Sequence, residues 1–147
     1  MSLKAEKDQA AYLRDMSDSA KQAMGYIKGM TFEQFWEDQK TRDAVAMRLQ
    51  VIGEAAKHIT AATSAALPKV PFTHIRGMRN RISHDYGGVN FKVVWKVASE
   101  ELKPMLTELQ KYFVRLVQQE TEARRLQQSL NLNIPPHTPR QGPRMGM

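Results

Sequence analysis

The chain has 147 residues, 41% of them hydrophobic, a formal net charge of +7 and no cysteine. That length supports one domain with a real core and is short for two. Disulfides, thiolate nucleophiles and cysteine-based zinc sites are excluded, and no run of eighteen apolar residues is present to span a membrane.

The elements read as helices from end to end. Leu13, Met16, Ala20, Met24 and Ile27 recur at spacings of three and four, which predicts an amphipathic helix over residues 6–28, ended near Gly29. Thr31 is expected to cap a short helix from Phe32 to Gln39, with Gln34 as its capping-box partner. Thr41 would cap a third helix over 42–60, with Val45, Leu49, Ile52, Ala56 and Ile59 on one face. Pro68 and Pro71 make residues 64–71 a loop. A shorter helix over 72–83 follows, with Ile75, Met78 and Ile82 as its apolar stripe and Arg76, Arg79 and Ser83 on the stripe beside it.

Gly87-Gly88 then breaks the chain, and a long final helix starts near Val89 or Asn90. Pro104 falls inside that helix and should kink or divide it. Trp36 and Trp95 lie in helical stripes and are expected to be core anchors, and His58 and His74 to serve structure or solvent. The fold class is therefore all-α: an up-and-down bundle of about four main helices plus a short one. The bundle occupies 1–130, and residues 131–147 form a Pro/Gly/Arg-rich flexible tail. The N-terminus lacks the apolar centre of a secretory signal, so a cytoplasmic location is expected.

The charge is not spread evenly. The first sixty residues balance nine basic against nine acidic side chains, whereas 72–96 carry Arg76, Arg79, Arg81, Lys92 and Lys96 against Asp85 alone. Such focusing is what a polyanion site needs. The densest chemistry lies at its centre, Arg79-Asn80-Arg81-Ile82-Ser83-His84-Asp85-Tyr86. An arginine can clamp a phosphate and offset charge building on it; a histidine can move a proton near neutral pH. The pair suffices to cleave RNA without a metal, because the 2′-hydroxyl of the substrate can be the nucleophile. Five residues of ideal helix would leave Arg79 and His84 about 140° apart. Arg79 is therefore expected on the helix and His84 at or past its end. Asn80 and Ser83 are candidate orienting groups, Arg76 a candidate RNA contact, and Tyr86 a candidate for stacking or hydrogen bonding. No carboxylate or histidine spacing suggests a metal set.

The spacing Arg79-x4-His84-x-Tyr86, set between Ile75-Arg76-Gly77-Met78 and Gly87-Gly88-Val89-Asn90, resembles the signature of HEPN-domain toxins of the HepT group. The resemblance extends over residues 10–116 and includes Leu13-Arg14-Asp15-Met16, Ile52-Gly53-Glu54-Ala55-Ala56-Lys57 and Leu102-Lys103-Pro104. It implies the toxin half of a toxin–antitoxin module: a metal-independent ribonuclease, homodimeric, needing no cofactor, with Arg79 and His84 as the catalytic pair. It further implies an MntA-like minimal-nucleotidyltransferase antitoxin that transfers AMP to Tyr86. The RNA, whether tRNA, mRNA or another species, is left open. Two other classes compete: a non-catalytic helical adaptor for a nucleotidyltransferase, and a basic nucleic-acid-binding bundle without chemistry.

Overall fold

Helical spacing of the apolar residues becomes helices in the computed structural model, which describes residues 3–133. The elements of the first unit are α1 (Leu3–Tyr26), α2 (Phe32–Glu37), α3 (Gln39–Ala56), α4 (Ala61–Ala65), α5 (Phe72–Arg76), α6 (Met78–Arg81) and α7 (Phe91–Lys96). A π-helical turn (Val97–Glu101) and α8 (Leu102–Asn133) complete the described chain. The first unit closes at Tyr112, within α8; the second begins at Phe113. Among the described residues there is no strand, only an isolated bridge between Ser83 and Val89.

Two long-range bonds fix the direction of the main pair. Gln9, early in α1, donates to the His58 carbonyl at 2.8 Å and accepts from the Thr60 N–H at 2.9 Å. Gln22, late in α1, accepts from Arg48 in the middle of α3. The helices are therefore antiparallel. Their facing stripes, Leu13, Met16 and Ala20 against Val45, Leu49 and Ile52, are fully buried, each large side chain contributing about 1.5–3 kcal/mol of transfer free energy. Helix α3 also touches α2, α5, α6 and α7, which makes it the post on which the rest is hung.

Several boundaries depart from the sequence reading, each for a local reason. The cap of α3 is Asp38 rather than Thr41: its carboxylate accepts from the Thr41 N–H at 3.0 Å and the Thr41 hydroxyl at 2.8 Å, so the helix opens three residues earlier. Those bonds hold the Asp38 carboxyl below its ordinary range. Thr60 caps a short helix, α4, that the sequence reading missed. The helix expected over 72–83 is two pieces divided at Gly77. The final run is divided as expected, but just before Pro104, at the π turn between α7 and α8, and the proline itself lies within the first turn of α8. Its ring has no N–H for the Glu100 carbonyl and would crowd it; the π turn just before, closed by the Leu102 N–H on the Val97 carbonyl, opens the spiral there. Finally, α8 runs to Asn133, three residues into the proposed tail; residues 134–147 lie outside the described chain.

The second unit is described over Phe113–Asn133 as the continuation of α8, and Val114, Val117, Leu126, Leu130 and Leu132 are exposed on it.

Candidate active site

Helix α6 is placed by a close crossing. A Cβ added at Gly53 would stand 2.8 Å from the Met78 Cβ and 3.3 Å from the Ile75 carbonyl oxygen, so only glycine lets α3 and α6 approach this closely. Met78, Ile75 and Ile82 are buried by that crossing, and Arg79 and Asn80 are exposed.

The chain leaves α6 in a tight reversal. The Ser83 hydroxyl donates to the Arg79 carbonyl at 2.6 Å. His84 N–H donates to the Gly88 carbonyl at 3.1 Å, Gly87 N–H to the His84 carbonyl at 3.0 Å, and Asn90 N–H to the Ile82 carbonyl at 2.6 Å. The turn needs two consecutive left-handed residues, and Gly87 and Gly88 supply φ of 83° and 80°. Asn90 then caps α7, its side-chain oxygen accepting from the Val93 N–H. His84 thus stands three residues past α6, and only Ser83 separates it from the bond back to Arg79. Asp85 and Tyr86 sit at the tip; Tyr86 is 95% exposed, with its ring 6.0 Å from the His84 imidazole. Arg79, Asn80, Ser83, His84 and Tyr86 therefore share one exposed helix end and its hairpin.

Arg76 is engaged elsewhere. Its Nε donates to the Ala56 carbonyl and its Nη2 to the Ile59 carbonyl, both at 3.1 Å, so its guanidinium closes the C-terminal end of α3. Arg81, which carried no assignment, ties the motif to the π turn: Nη2 donates to Glu101 Oε2 at 2.8 Å, and His74 Nε2 lies 3.6 Å from the other oxygen. The Arg81 bond holds the Glu101 carboxyl below its ordinary value, with His74 and Lys96 assisting. His58, the other histidine read as structural, stacks on Tyr12 with ring centroids 4.5 Å apart.

Two features escaped the sequence reading. Trp36 is not a core anchor: it is 43% exposed, packed on Phe32 and lying under the Arg42 guanidinium; Trp95, half-buried, packs its ring on the buried Phe35 with centroids 5.1 Å apart. Glu54, next to Gly53 on α3, lies within the field of Arg79. Its signal was the small residue beside it, which marks where another helix must come close.

The protein-family model described as "Ribonuclease HepT-like" matches residues 16–112. This chain belongs to the HepT-like ribonuclease family. Two Methanocaldococcus jannaschii proteins, each named as a "Putative RNase", are similar to it. One is 30% identical over 105 residues, covering 71% of this chain and 87% of the relative. The other is 32% identical over 106 residues, covering 72% and 88%. A Thermococcus cleftensis protein named "Probable ribonuclease HepT" is 31% identical over 100 residues, covering 68% and 91%. No solved structure matches. The HepT-like region contains the whole of the α3–α6 crossing and the hairpin, and it ends at Tyr112, where the first unit ends. No described helix is long and apolar enough to cross a membrane.

Proposed function

We propose that this HepT-like chain is a cytoplasmic toxin that cuts RNA by metal-independent transesterification. In this reading the 2′-oxygen attacks the adjacent phosphorus, the O2′–P bond forms and the P–O5′ bond breaks. The products are a 2′,3′-cyclic phosphate and a free 5′-hydroxyl. Arg79 holds non-bridging oxygens and offsets the charge of the pentacoordinate state, and His84 moves a proton. Ser83 fixes the joint between them, and Asn80 presents a polar side chain on the same surface. One guanidinium and one imidazole make a sparse site, so the active form is a homodimer in which two such hairpins face one substrate.

The observation that carries the proposal is the exposure of Arg79 and His84 on a single helix end built by a glycine crossing and a two-glycine turn, in a chain of a ribonuclease family. The 95% exposure of Tyr86 supports the second half of the reading. Its hydroxyl is available to an MntA-like nucleotidyltransferase antitoxin that transfers AMP from ATP. The adduct would put a bulky anion beside His84 and compete with RNA.

Cleavage of RNA by purified protein in EDTA tests the first half, and it should be lost in Arg79→Ala and His84→Ala. For the second half, incubation with the antitoxin and ATP should add AMP, and Tyr86→Phe should remove the main adduct. The competing reading, a non-catalytic adaptor presenting Tyr86, requires that the wild-type protein take up AMP yet leave RNA intact.

A further inference from the structure

An arginine near the start of a helix works against the fold, because the positive end of the helix dipole lies there. Arg42 stands four residues after Asp38, the cap of α3, and no carboxylate among the described residues pairs with it. The Asp38 carboxylate accepts from Thr41 with both oxygens instead. What holds Arg42 is aromatic: its guanidinium carbon lies 4.7 Å from the Phe91 ring centroid and 5.5 Å from that of Trp36. Its Nε is buried without a hydrogen-bond partner, and the residue as a whole is only half-buried, which leaves the outer nitrogens to a ligand. Phe32 packs on both Trp36 and Trp95, with centroids 5.8 and 6.0 Å apart, so the rings form one cluster with Trp36 exposed at its edge. The gain from the cation–π contacts is offset by the dipole and by the unbonded buried donor. Stability alone does not explain the arrangement.

We propose that Trp36 and Arg42 form a subsite for single-stranded RNA flanking the cut, in which Trp36 stacks an unpaired base and Arg42 takes the phosphate beside it. The inference rests on RNA being the substrate and adds a binding contact that the cleavage pair does not supply. Aromatic rings and arginine planes are the platforms on which unpaired bases stack, with little regard to sequence. A guanidinium held through its π face keeps its N–H edge for the oxygens of a phosphate. Lys40, two residues before Arg42, and Lys92, next to Phe91, are both exposed and add cations for further backbone phosphates. The patch also joins the hairpin: Phe91 follows Asn90, whose N–H donates to the Ile82 carbonyl at the base of the turn that carries His84. A base inside a duplex already has both faces covered, so the subsite favours unpaired RNA.

Binding is measured with the full chain carrying His84→Ala, so that the RNA stays whole. The probes are a single-stranded RNA oligonucleotide and the same sequence as a fully paired duplex, and circular dichroism is the folding control. Trp36→Ala should weaken binding of the single strand about 5–150-fold, the usual weight of one stacked base, and leave the duplex unchanged. Trp36→Phe should keep most of the affinity. Arg42→Gln should make the slope of log K against log salt shallower by about 0.7, one phosphate of a single strand, whereas Trp36→Ala should leave that slope alone. With His84 intact, Trp36→Ala should raise KM for cleavage and spare kcat. An unchanged Kd in Trp36→Ala, equal losses on single strand and duplex, or intact RNA binding with loss of AMP transfer by the antitoxin overturns the subsite. A chain with His84 intact that binds single-stranded RNA through Trp36 yet cuts none upholds the subsite and overturns the ribonuclease reading, so the two failures are distinct.

Discussion

Arg79 and His84 are placed by backbone and by small residues, and their mutation should therefore remove chemistry without removing fold. Both are exposed, neither belongs to the buried stripe of Ile75, Met78 and Ile82, and the turn between them is closed by main-chain bonds. His84→Ala should cost about 10²–10⁴-fold in cleavage while helical circular dichroism stays at the wild-type level. Arg81 is the opposite case. Its guanidinium is largely buried and bonded to Glu101, so Arg81→Ala would strand a carboxylate and loosen the motif from the π turn. The Glu101 carboxyl is depressed in the folded state by that bond. Its contribution is thus present above the ordinary carboxylate value near 4.5 and is lost as pH falls through the depressed value. Acid titration of melting temperature should show wild type losing more stability over that acidic range than Glu101→Gln, and identical curves would deny the pair any role.

At the scale of elements, the crossing of α3 and α6 decides where Arg79 stands. Gly53→Ala puts a methyl group 2.8 Å from the Met78 Cβ and against the Ile75 carbonyl, in a position where backbone must give way. The expected cost is about 1–3 kcal/mol, measured by denaturant unfolding, together with reduced cleavage because α6 shifts. Asn90→Ala should cost about 1 kcal/mol through loss of the α7 cap.

These elements also show what a sequence can and cannot disclose. The periodicities of α1 and α3 were legible because each helix buries one continuous face, and the Thr31–Gln34 capping box was legible because it is local. Asp38 was missed because both it and Thr41 are good caps, and only the dihedral angles say which one stands outside the helix. The π turn was invisible because an extra residue in a helix leaves the apolar pattern nearly intact. Arg76 looked like Arg79 in the sequence; carbonyls of Ala56 and Ile59, nearly twenty residues away, gave it a structural task. Trp36 lies on a helical stripe like Trp95, yet the short α2 leaves one ring half outside. The candidate pair itself was legible because arginine and histidine mean little apart and much together before a glycine pair.

For the molecule as a whole, the basic excess and the exposed hairpin act on the same ligand. A net charge of +7 with Arg79, Lys92 and Lys96 in the motif region should make RNA binding strongly salt-dependent. Raising salt should therefore increase KM for RNA well before it lowers helicity, and a salt-independent KM would argue against phosphate contacts there. The most direct measurement is end-group analysis of RNA cut by the purified protein in EDTA, with Arg79→Ala and His84→Ala run beside it. Expected are fragments ending in 2′,3′-cyclic phosphate and beginning with 5′-hydroxyl, absent from both variants. Fragments beginning with 5′-phosphate, or undiminished cleavage by either variant, would contradict the central claim that these two side chains carry out transesterification.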